Sequence, residues 1–422
     1  MDGLNGSPAA GQRMRVIINA QGSQGDVNPV LPLARALRED GHEVTICSPV
    51  TFKTYFSGHG IDWHEVGPDT RRWLASRKDQ MATARGSLVG IINAIRGSFA
   101  YYSHILPPLA EGADVFLGAG VDLCGRSVAE HMGIPYRYLA CVPQLFRSRA
   151  HPPMASPLQP TSRSVNHLLW SLNDFVIDKL VGFERLHNVQ RAELGLRPVG
   201  SVLAYMAGQA IVATDPELSP VPPDVRAEYT QVGYIHDDRD TGLDPELERF
   251  LDAGSPPVFI GFGSMPGDKR GRIPAAVREV IESGRYRVVL SRGWGDLEPG
   301  TSRDGVFVVD YVPYLALFSR VAVVVHHGGS GTTHCAARAG VPQVVVPHLL
   351  DQFYWGARIH RLRLGPKPLK RSRLTGRALL AGIDEALAGP GYTRRARALG
   401  VLIRTRDPLA ETVRLVNRLA GN

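Results

Sequence analysis

The sequence predicts two α/β domains, each a doubly wound parallel sheet, facing one another across a cleft. Three observations carry this. The chain has 422 residues, more than one hydrophobic core usually serves. Short apolar runs alternate with amphipathic helical segments, the pattern of parallel strands joined by helical crossovers. A proline-rich, polar stretch from Pro216 to Asp240 interrupts the alternation, which then begins again.

Residues 1–13, MDGLNGSPAAGQR, are small and polar, without an apolar signal core, and read as a loose tail. MRVIINA (14–20) is a buried strand. NPVLPLARALRED places Val30, Leu33, Ala34 and Leu37 on one helical stripe, with Gly41 as the stop. HEVTICSP (42–49) is the next strand, so the unit is βαβ. DVFLGAG near Val115, PYRYLAC near Tyr138 and QAIVATD near Ile211 complete a first domain over 14–215. The linker is expected over 216–240, and the second domain over 241–422. That domain opens with PPVFIGFGSMPG, a strand running into a glycine loop. The helix IPAAVREVIESG follows, then the strands in YRVVLSRGW, GVFVVDYVP, AVVVHHGG and PQVVVPH. The last helix is free to pack back on the first domain. Ligands of such sheets sit at the carboxyl ends of the strands, so the interdomain cleft is the expected site.

Composition narrows the class. With 44% hydrophobic and 21% charged residues and no low-complexity tract the chain is globular. No apolar run reaches the roughly 18 residues of a membrane span. Cys47, Cys124, Cys141 and Cys335 are scattered, without metal-ligand spacing or a disulfide framework, which fits a reducing cytoplasm. A formal charge of +8 suits anionic ligands. The basic run KPLKRSR (Lys367 to Arg373) reads as a solvated surface, with attraction to anionic membrane as its alternative. No nucleic-acid-binding signature is present.

The loop NAQGSQGDVNP has Gly22 and Gly25 but an incomplete dinucleotide fingerprint. The second strand ends in Ser48-Pro49, with no ribose-binding carboxylate. Asp26 has two readings: an acid in a helix's first turn, or a base at the mouth of the cleft. VVVHHGGSGTTHCAARAG (323–340) is the strongest signal. A strand ends in two histidines and two glycines, and Ser330, Gly331 and Thr332 open a helix. Free N–H groups at a helix N-terminus favour an anion, and glycines let a diphosphate approach. No Walker lysine follows. After the next strand, PHLLDQFYWGARI (347–359) brings Asp351 and Gln352 to the same cleft, a carboxylate and an amide suited to sugar hydroxyls.

HHGGSGTTHCAARAGVPQVVVPHLLDQ strongly resembles the nucleotide-sugar motif of the UDP-glycosyltransferase superfamily, inverting enzymes of the GT-B fold with two Rossmann-like domains. GSQGDVNP resembles its N-terminal loop, and GFGSMP (261–266) and LSRGWGDL (290–297) match in order and place. The antibiotic, sterol and rhamnolipid glycosyltransferases of microbes look most similar. The resemblance implies that Asp26 is the base that takes the acceptor proton, where the plant-like branch has histidine. It implies that His327, Gly329, Ser330, Gly331 and Thr332 bind the donor diphosphate, with Ser23 and Ser264 approaching from two other loops. Asp351 and Gln352 would hold the sugar. Val312, in DYVPY, would read the base through its backbone, flanked by Arg292 or Trp294. Tyr311 and Tyr314 stand where the plant motif has Trp and Gln, which leaves both UDP and dTDP sugars open.

The expected function is therefore metal-independent, inverting transfer of a hexose or deoxyhexose from a nucleotide diphosphate sugar to a small, largely apolar hydroxylated acceptor, with no cofactor. An inactive accessory protein and a GT-B sugar-nucleotide epimerase are the alternatives. DDRD (237–240) contains a D-x-D, a metal pattern elsewhere, but sits in the linker and reads as solvated. SRSVNHLLWSLNDFVIDKLVG (162–182), with Trp170 and Phe175, is expected to be core or acceptor-pocket wall.

Overall fold

The computed structural model describes residues 13–67, 84–154, 156–159, 161–239, 242–263, 271–292 and 304–419. Most of the tail, Asp240 and the expected site residues Ser264 and Trp294 lie outside the described residues.

The first sheet contains β1 (Arg15–Gln21), β2 (Glu43–Ser48), β3 (Asp62–Glu65), β4 (Val115–Gly120), β5 (Tyr136–Ala140), β6 (Gln209–Val212) and β7 (Glu228–Gln231). Their order is β3-β2-β1-β4-β5-β6-β7, and every pairing is parallel. The second sheet holds β8 (Val258–Gly261), β9 (Val288–Ser291), β10 (Val306–Val309), β11 (Val323–His326) and β12 (Gln343–Val345), in the order β10-β9-β8-β11-β12, again parallel. These are the two doubly wound domains of the GT-B fold.

Helices cover both faces of each sheet. In the first domain they are α1 (Gln24–Val27), α2 (Val30–Glu39), α3 (Lys53–Ser57), α4 (Ala84–Ala110), α5 (Gly125–Met132), α6 (Arg163–Asp174), α7 (Phe183–Glu193) and α8 (Val202–Met206). In the second they are α9 (Pro245–Asp252), α10 (Arg272–Glu282), α11 (Tyr314–Phe318), α12 (Ser330–Ala339), α13 (Gln352–Arg361), α14 (Gly376–Ala388), α15 (Pro390–Ile403) and α16 (Pro408–Leu419). Strand side chains alternate between faces. Val16, Ile18 and Ala20 therefore join one core while Ile17 joins the other. None of the described helices is long and apolar enough to cross a membrane.

One boundary differs from expectation, and the last helix packs as expected. The stretch 216–240 is not a plain linker: Glu228–Gln231 forms β7 and pairs with β6. Its residues are polar and mostly exposed because β7 is the sheet edge, so no apolar run announced it. In DDRD, Asp237 pairs with Arg35 of the first domain at 2.9 Å and Asp238 with Arg338 of the second at 3.0 Å. These carboxylates tie the connection to both domains, Asp237 half-buried while Asp238 stays solvated at 60% exposure. The last helix, α16, crosses back. Val416 lies in the first domain's core with Leu409 and Val413 against it, and Asn417 Nδ2 donates to Asp40 at 2.6 Å.

Trp170 is buried as expected, but Phe175 is 53% exposed, along with Leu168 and Leu172. This segment is core on one face only.

Candidate active site

In each sheet the strand order reverses at one point, and there the adjacent loops diverge to leave a crevice. In the first sheet that point lies between β1 and β4. Gly22 and Ser23 leave β1, and Ser23 is the N-cap of the short helix α1. Asp26 is its third residue. Asp26 Oδ2 accepts from the Ser23 amide at 2.8 Å and from Ser23 Oγ at 2.9 Å. The first-turn acid is thus real, but both bonds fall on one carboxylate oxygen. Gly120, at the end of β4, makes room for Asp26. Its φ is +66°, and a Cβ there would stand 2.9 Å from Asp26 Cβ and collide with the Gln21 carbonyl. Desolvation raises the Asp26 carboxyl above its ordinary range, opposed by the two bonds from Ser23.

In the second sheet the reversal lies between β8 and β11. His326 ends β11 fully buried, its Nε2 2.9 Å from Gln343 Oε1 while its Nδ1 accepts from the Gly328 amide at 3.1 Å. That arrangement puts the proton on Nε2 and makes His326 a brace of the loop. His327 turns the other way, over Gly263 and Gly329. A Cβ at Gly263 (φ +59°) would lie 3.0 Å from its ring, and one at Gly329 2.5 Å from Nε2. Its Nδ1 is buried without a hydrogen-bond partner, and burial lowers its pKa to about 4. The imidazole is neutral at physiological pH, so it offers an N–H rather than a charge.

Gly329 is the N-cap of α12 and has no side chain to accept from the first turn. Among the described residues, the amides of Ser330, Gly331 and Thr332 have no acceptor. This is an open helix N-terminus. The Ser330 hydroxyl, expected at the diphosphate, instead donates to the Cys141 carbonyl of the first domain at 2.7 Å, leaving its amide for a ligand. The hydroxyls of Thr332 and Ser291 hydrogen-bond the Tyr314 phenol. The Tyr314 ring stacks on Phe318 at 4.7 Å. Gly331 faces Tyr234, whose hydroxyl would be 2.9 Å from a Cβ there.

Asp351 is the N-cap of α13, and Trp355 Nε1 donates to its Oδ2 at 3.0 Å. Leu350, just before it, adopts φ +51°, a left-handed conformation costly for leucine. Burial raises the Asp351 carboxyl to about 7, and the second cause is the charge of Asp26 from the facing domain. The Asp351 carboxyl therefore lies near enough to the facing domain to feel the Asp26 charge. Gln352 does something the sequence did not disclose. Its Oε1 accepts from the amides of His348 and Leu349 at 2.8 and 3.1 Å, fixing the loop that presents Asp351.

At the strand ends beside this loop, Arg292 pairs with Asp310 at 3.4 Å. The Val312 side chain is buried in the core, and Tyr311 is 67% exposed. The structure thus gathers Ser23, Asp26, His327, Gly329, Gly331, Thr332 and Asp351 along the switch points of the two sheets.

Sequence reasoning missed the seam behind α12. His334 Nδ1 lies 2.8 Å from the Ser330 carbonyl, and its ring stacks on Tyr234 at 4.6 Å. His334 Nε2 faces Asp215 Oδ2 at 4.0 Å, and neither atom has a hydrogen-bond partner. Burial raises Asp215 to about 7 and lowers His334 to about 4, so the pair is not a persistent ion pair. THC in the glycine motif was the only available signal.

Comparison with known proteins gives the family and supports the fold. Residues 16–148 match the family described as glycosyltransferase family 28 N-terminal domain. Residues 298–408 match the erythromycin biosynthesis protein CIII-like C-terminal domain. Glycosyltransferase GtfE of Amycolatopsis orientalis is 35% identical over 92% of this chain and 94% of its own. The vancomycin aglycone glucosyltransferase of the same organism is 35% identical over 96% and 97%. Among solved structures, glycosyltransferase VinC in complex with dTDP superposes with a TM-score of 0.67 at 21% identity, over 97% of this chain and all of that one. The chain belongs to the UDP-glycosyltransferase superfamily and is a glycosyltransferase of the antibiotic and sterol type.

Proposed function

We propose that the protein transfers a hexose or deoxyhexose, with inversion, from a UDP- or dTDP-sugar to a hydroxyl of a small, largely apolar acceptor. One observation carries the reading: among the described residues the amides of Ser330, Gly331 and Thr332 stand open at the start of α12, whose Ser330 hydroxyl reaches the facing domain at the Cys141 carbonyl. The diphosphate lies on the amides of Ser330, Gly331 and Thr332, with His327 donating from the side. Asp351 accepts from sugar hydroxyls, held in place by Gln352 and Trp355. The base stacks near Tyr311 and meets the Val312 backbone.

Asp26 removes the proton as the acceptor oxygen attacks C1. The C1–O bond to the diphosphate breaks, and its electron pair leaves with the diphosphate. Attack opposite the leaving group inverts the anomeric centre. A free aspartate, with pKa about 3.9, is a weak base. Desolvation strengthens it, and the Ser23 bonds aim one oxygen while the other is presented to the acceptor. The preorganised amides stabilise charge developing on the diphosphate. Helix amides can do this without a divalent ion, and among the described residues no His, Cys, Asp or Glu cluster is placed to hold one. Two findings support the choice of substrates: a relative named for glucosylating an aglycone, and a structural neighbour solved with dTDP.

The test is product analysis with a panel of UDP- and dTDP-sugars after exhaustive chelation. A β-glycoside from an α-linked donor is expected. A retained anomeric configuration, a new sugar nucleotide in place of a glycoside, or activity wholly dependent on added Mg²⁺ or Mn²⁺ contradicts the reading.

A further inference from the structure

We propose that a concavity at the far end of α13 is a second anion site, for a phosphate-bearing ligand, apart from the donor cleft. The concavity has a volume of about 610 Å³ and is lined by His360, Arg361, Arg363, Glu385, Tyr392 and Arg395. α13 begins beside Asp351 and ends here, roughly 15 Å away at 1.5 Å per residue.

Electrostatics point to a ligand. Three guanidiniums converge on one concavity with one carboxylate, and Glu385 already accepts from the Tyr392 hydroxyl at 2.9 Å. Among the described residues, the side chains of Arg361, Arg363 and Arg395 have neither a carboxylate nor a carbonyl partner. Arginines nearby are treated differently: Arg358 donates to the Leu218 carbonyl at 2.7 Å, and Arg285 pairs with Asp384 at 2.9 Å. The imbalance is regional. Residues 357–419 hold fifteen Lys and Arg against four Asp and Glu, a net of +11, where the whole chain is +8, so the remainder is −3.

A helix dipole accounts for part of the cluster and opposes the rest. His360 and Arg361 sit in the last turn of α13, where a cation is favourable. Arg395 sits near the start of α15, whose N-terminal end is positive, so the same dipole repels it. Its guanidinium nevertheless lies across the first turn, where any Cβ at Gly391 would strike it. Arg363 is held at φ +53°, a left-handed conformation uncommon for a residue with a side chain. An anion between Arg363 and Arg395 would meet two planar forks, while the first turn of α15 adds little, since Pro390 has no N–H and the Tyr392 amide donates to the Gly389 carbonyl at 2.9 Å. Phosphate oxygens match that geometry, and arginine binds them bidentately. The shared chemistry admits two sources, a soluble phosphate compound and a phospholipid headgroup.

The test uses the full chain, wild type and Arg363→Ser/Arg395→Ser. Inorganic tripolyphosphate is titrated calorimetrically into each. The double variant should lose one binding event, or bind it about tenfold or more weakly, with a melting temperature close to wild type because neither side chain is buried and neither loses a carboxylate partner. Arg363→Lys/Arg395→Lys, which keeps charge and loses the fork, should fall between. His327→Ala, in the other loop, should leave this event intact. Co-sedimentation with phosphatidate–phosphatidylcholine vesicles, against phosphatidylcholine alone, separates the sources. Wild-type capture lost in the double variant assigns a headgroup, and tripolyphosphate binding without capture assigns a solute. An equal number and strength of binding events in wild type and double variant overturns the proposal. So does a wild type whose only event disappears in His327→Ala.

Discussion

Two glycine loops of this molecule share one plan and end differently. Each leaves the carboxyl end of an apolar strand at the switch point of its sheet, and each opens a helix. After β1 the helix brings its own acid: Asp26, in the third position, folds back on Ser23 and occupies the N-terminus. After β11 the N-cap is Gly329, nothing among the described residues accepts from the amides of Ser330, Gly331 and Thr332, and they stay open. The first loop adds a negative charge to the cleft, and the second leaves a place for one. On the proposed mechanism a single difference, an acid within the first turn or a glycine before it, turns the same strand–loop–helix into a proton acceptor or an anion cradle.

Removing the acid is the strongest way to break that contrast. Asp26→Ala loses both the carboxylate and its bonds from Ser23. Turnover should fall about 10²-fold or more, the usual scale for general-base catalysis. Ser23 stays as the N-cap and loses only its acceptor in Asp26, so stability should fall by about 1 kcal/mol or less. Steady-state kinetics and a denaturant melt read the two parts separately. Near-normal turnover would return Asp26 to a capping role alone.

On the other side, His327→Ala should weaken binding of the nucleoside diphosphate and its sugar alike, by about 1.5–3 kcal/mol if the imidazole bonds a charged phosphate oxygen. Folding should not suffer, since the variant also removes a buried, unpartnered Nδ1. Calorimetric titration of the diphosphate decides this, and unchanged affinity would move the cradle elsewhere.

Asp351→Ala should be milder and more selective. A sugar hydroxyl left without its partner costs about 1–3 kcal/mol, so the intact nucleotide sugar should lose more than the bare diphosphate. The gap between a hexose and a deoxysugar donor should also narrow. Equal losses for all donors would make Asp351 a support of the loop.

A smaller effect concerns pH. Burial holds His151, His187, His236, His326, His327, His334 and His348 below the ordinary imidazole value. The unfolded chain protonates these near pH 6.5 while the folded chain resists, so stability falls as pH drops through that range. Asp122, Asp215 and Asp351, raised to about 6, 7 and 7, act in the opposite sense, because the folded form takes those protons first. Asp26 and Asp178 are raised as well, and seven histidines against five carboxyls give a net loss between pH 7 and 5, read as a lower melting temperature by calorimetry. His348→Leu should soften it, since both nitrogens of His348 are buried without partners. The first loop has no buried histidine, so acid should loosen the second domain first.

The sequence disclosed what local pattern controls. Continuous apolar runs announced the buried strands, and the helix stripe from Val30 to Leu37 was visible because its period is fixed. β3 and β7 went unread because DWHE and EYTQ are half-exposed or edge strands with no apolar run. Asp26, His327 and Asp351 were legible from loop chemistry and resemblance. The Ser330 bond to Cys141 was not, since it joins residues 189 positions apart, nor was the facing of His334 and Asp215. Those contacts depend on how the two domains meet, which no window of sequence contains.

The most direct measurement uses Asp26→Asn. Asparagine keeps a side-chain oxygen for the Ser23 amide, so the cap survives while the base is lost. Turnover and diphosphate affinity should be measured on the same preparation. A division of labour between the loops predicts turnover lower by about 10²-fold or more, with the diphosphate dissociation constant within about twofold of wild type, since only about 0.4 kcal/mol separates those values. A variant that turns over normally, or one whose diphosphate affinity falls in step with turnover, contradicts it.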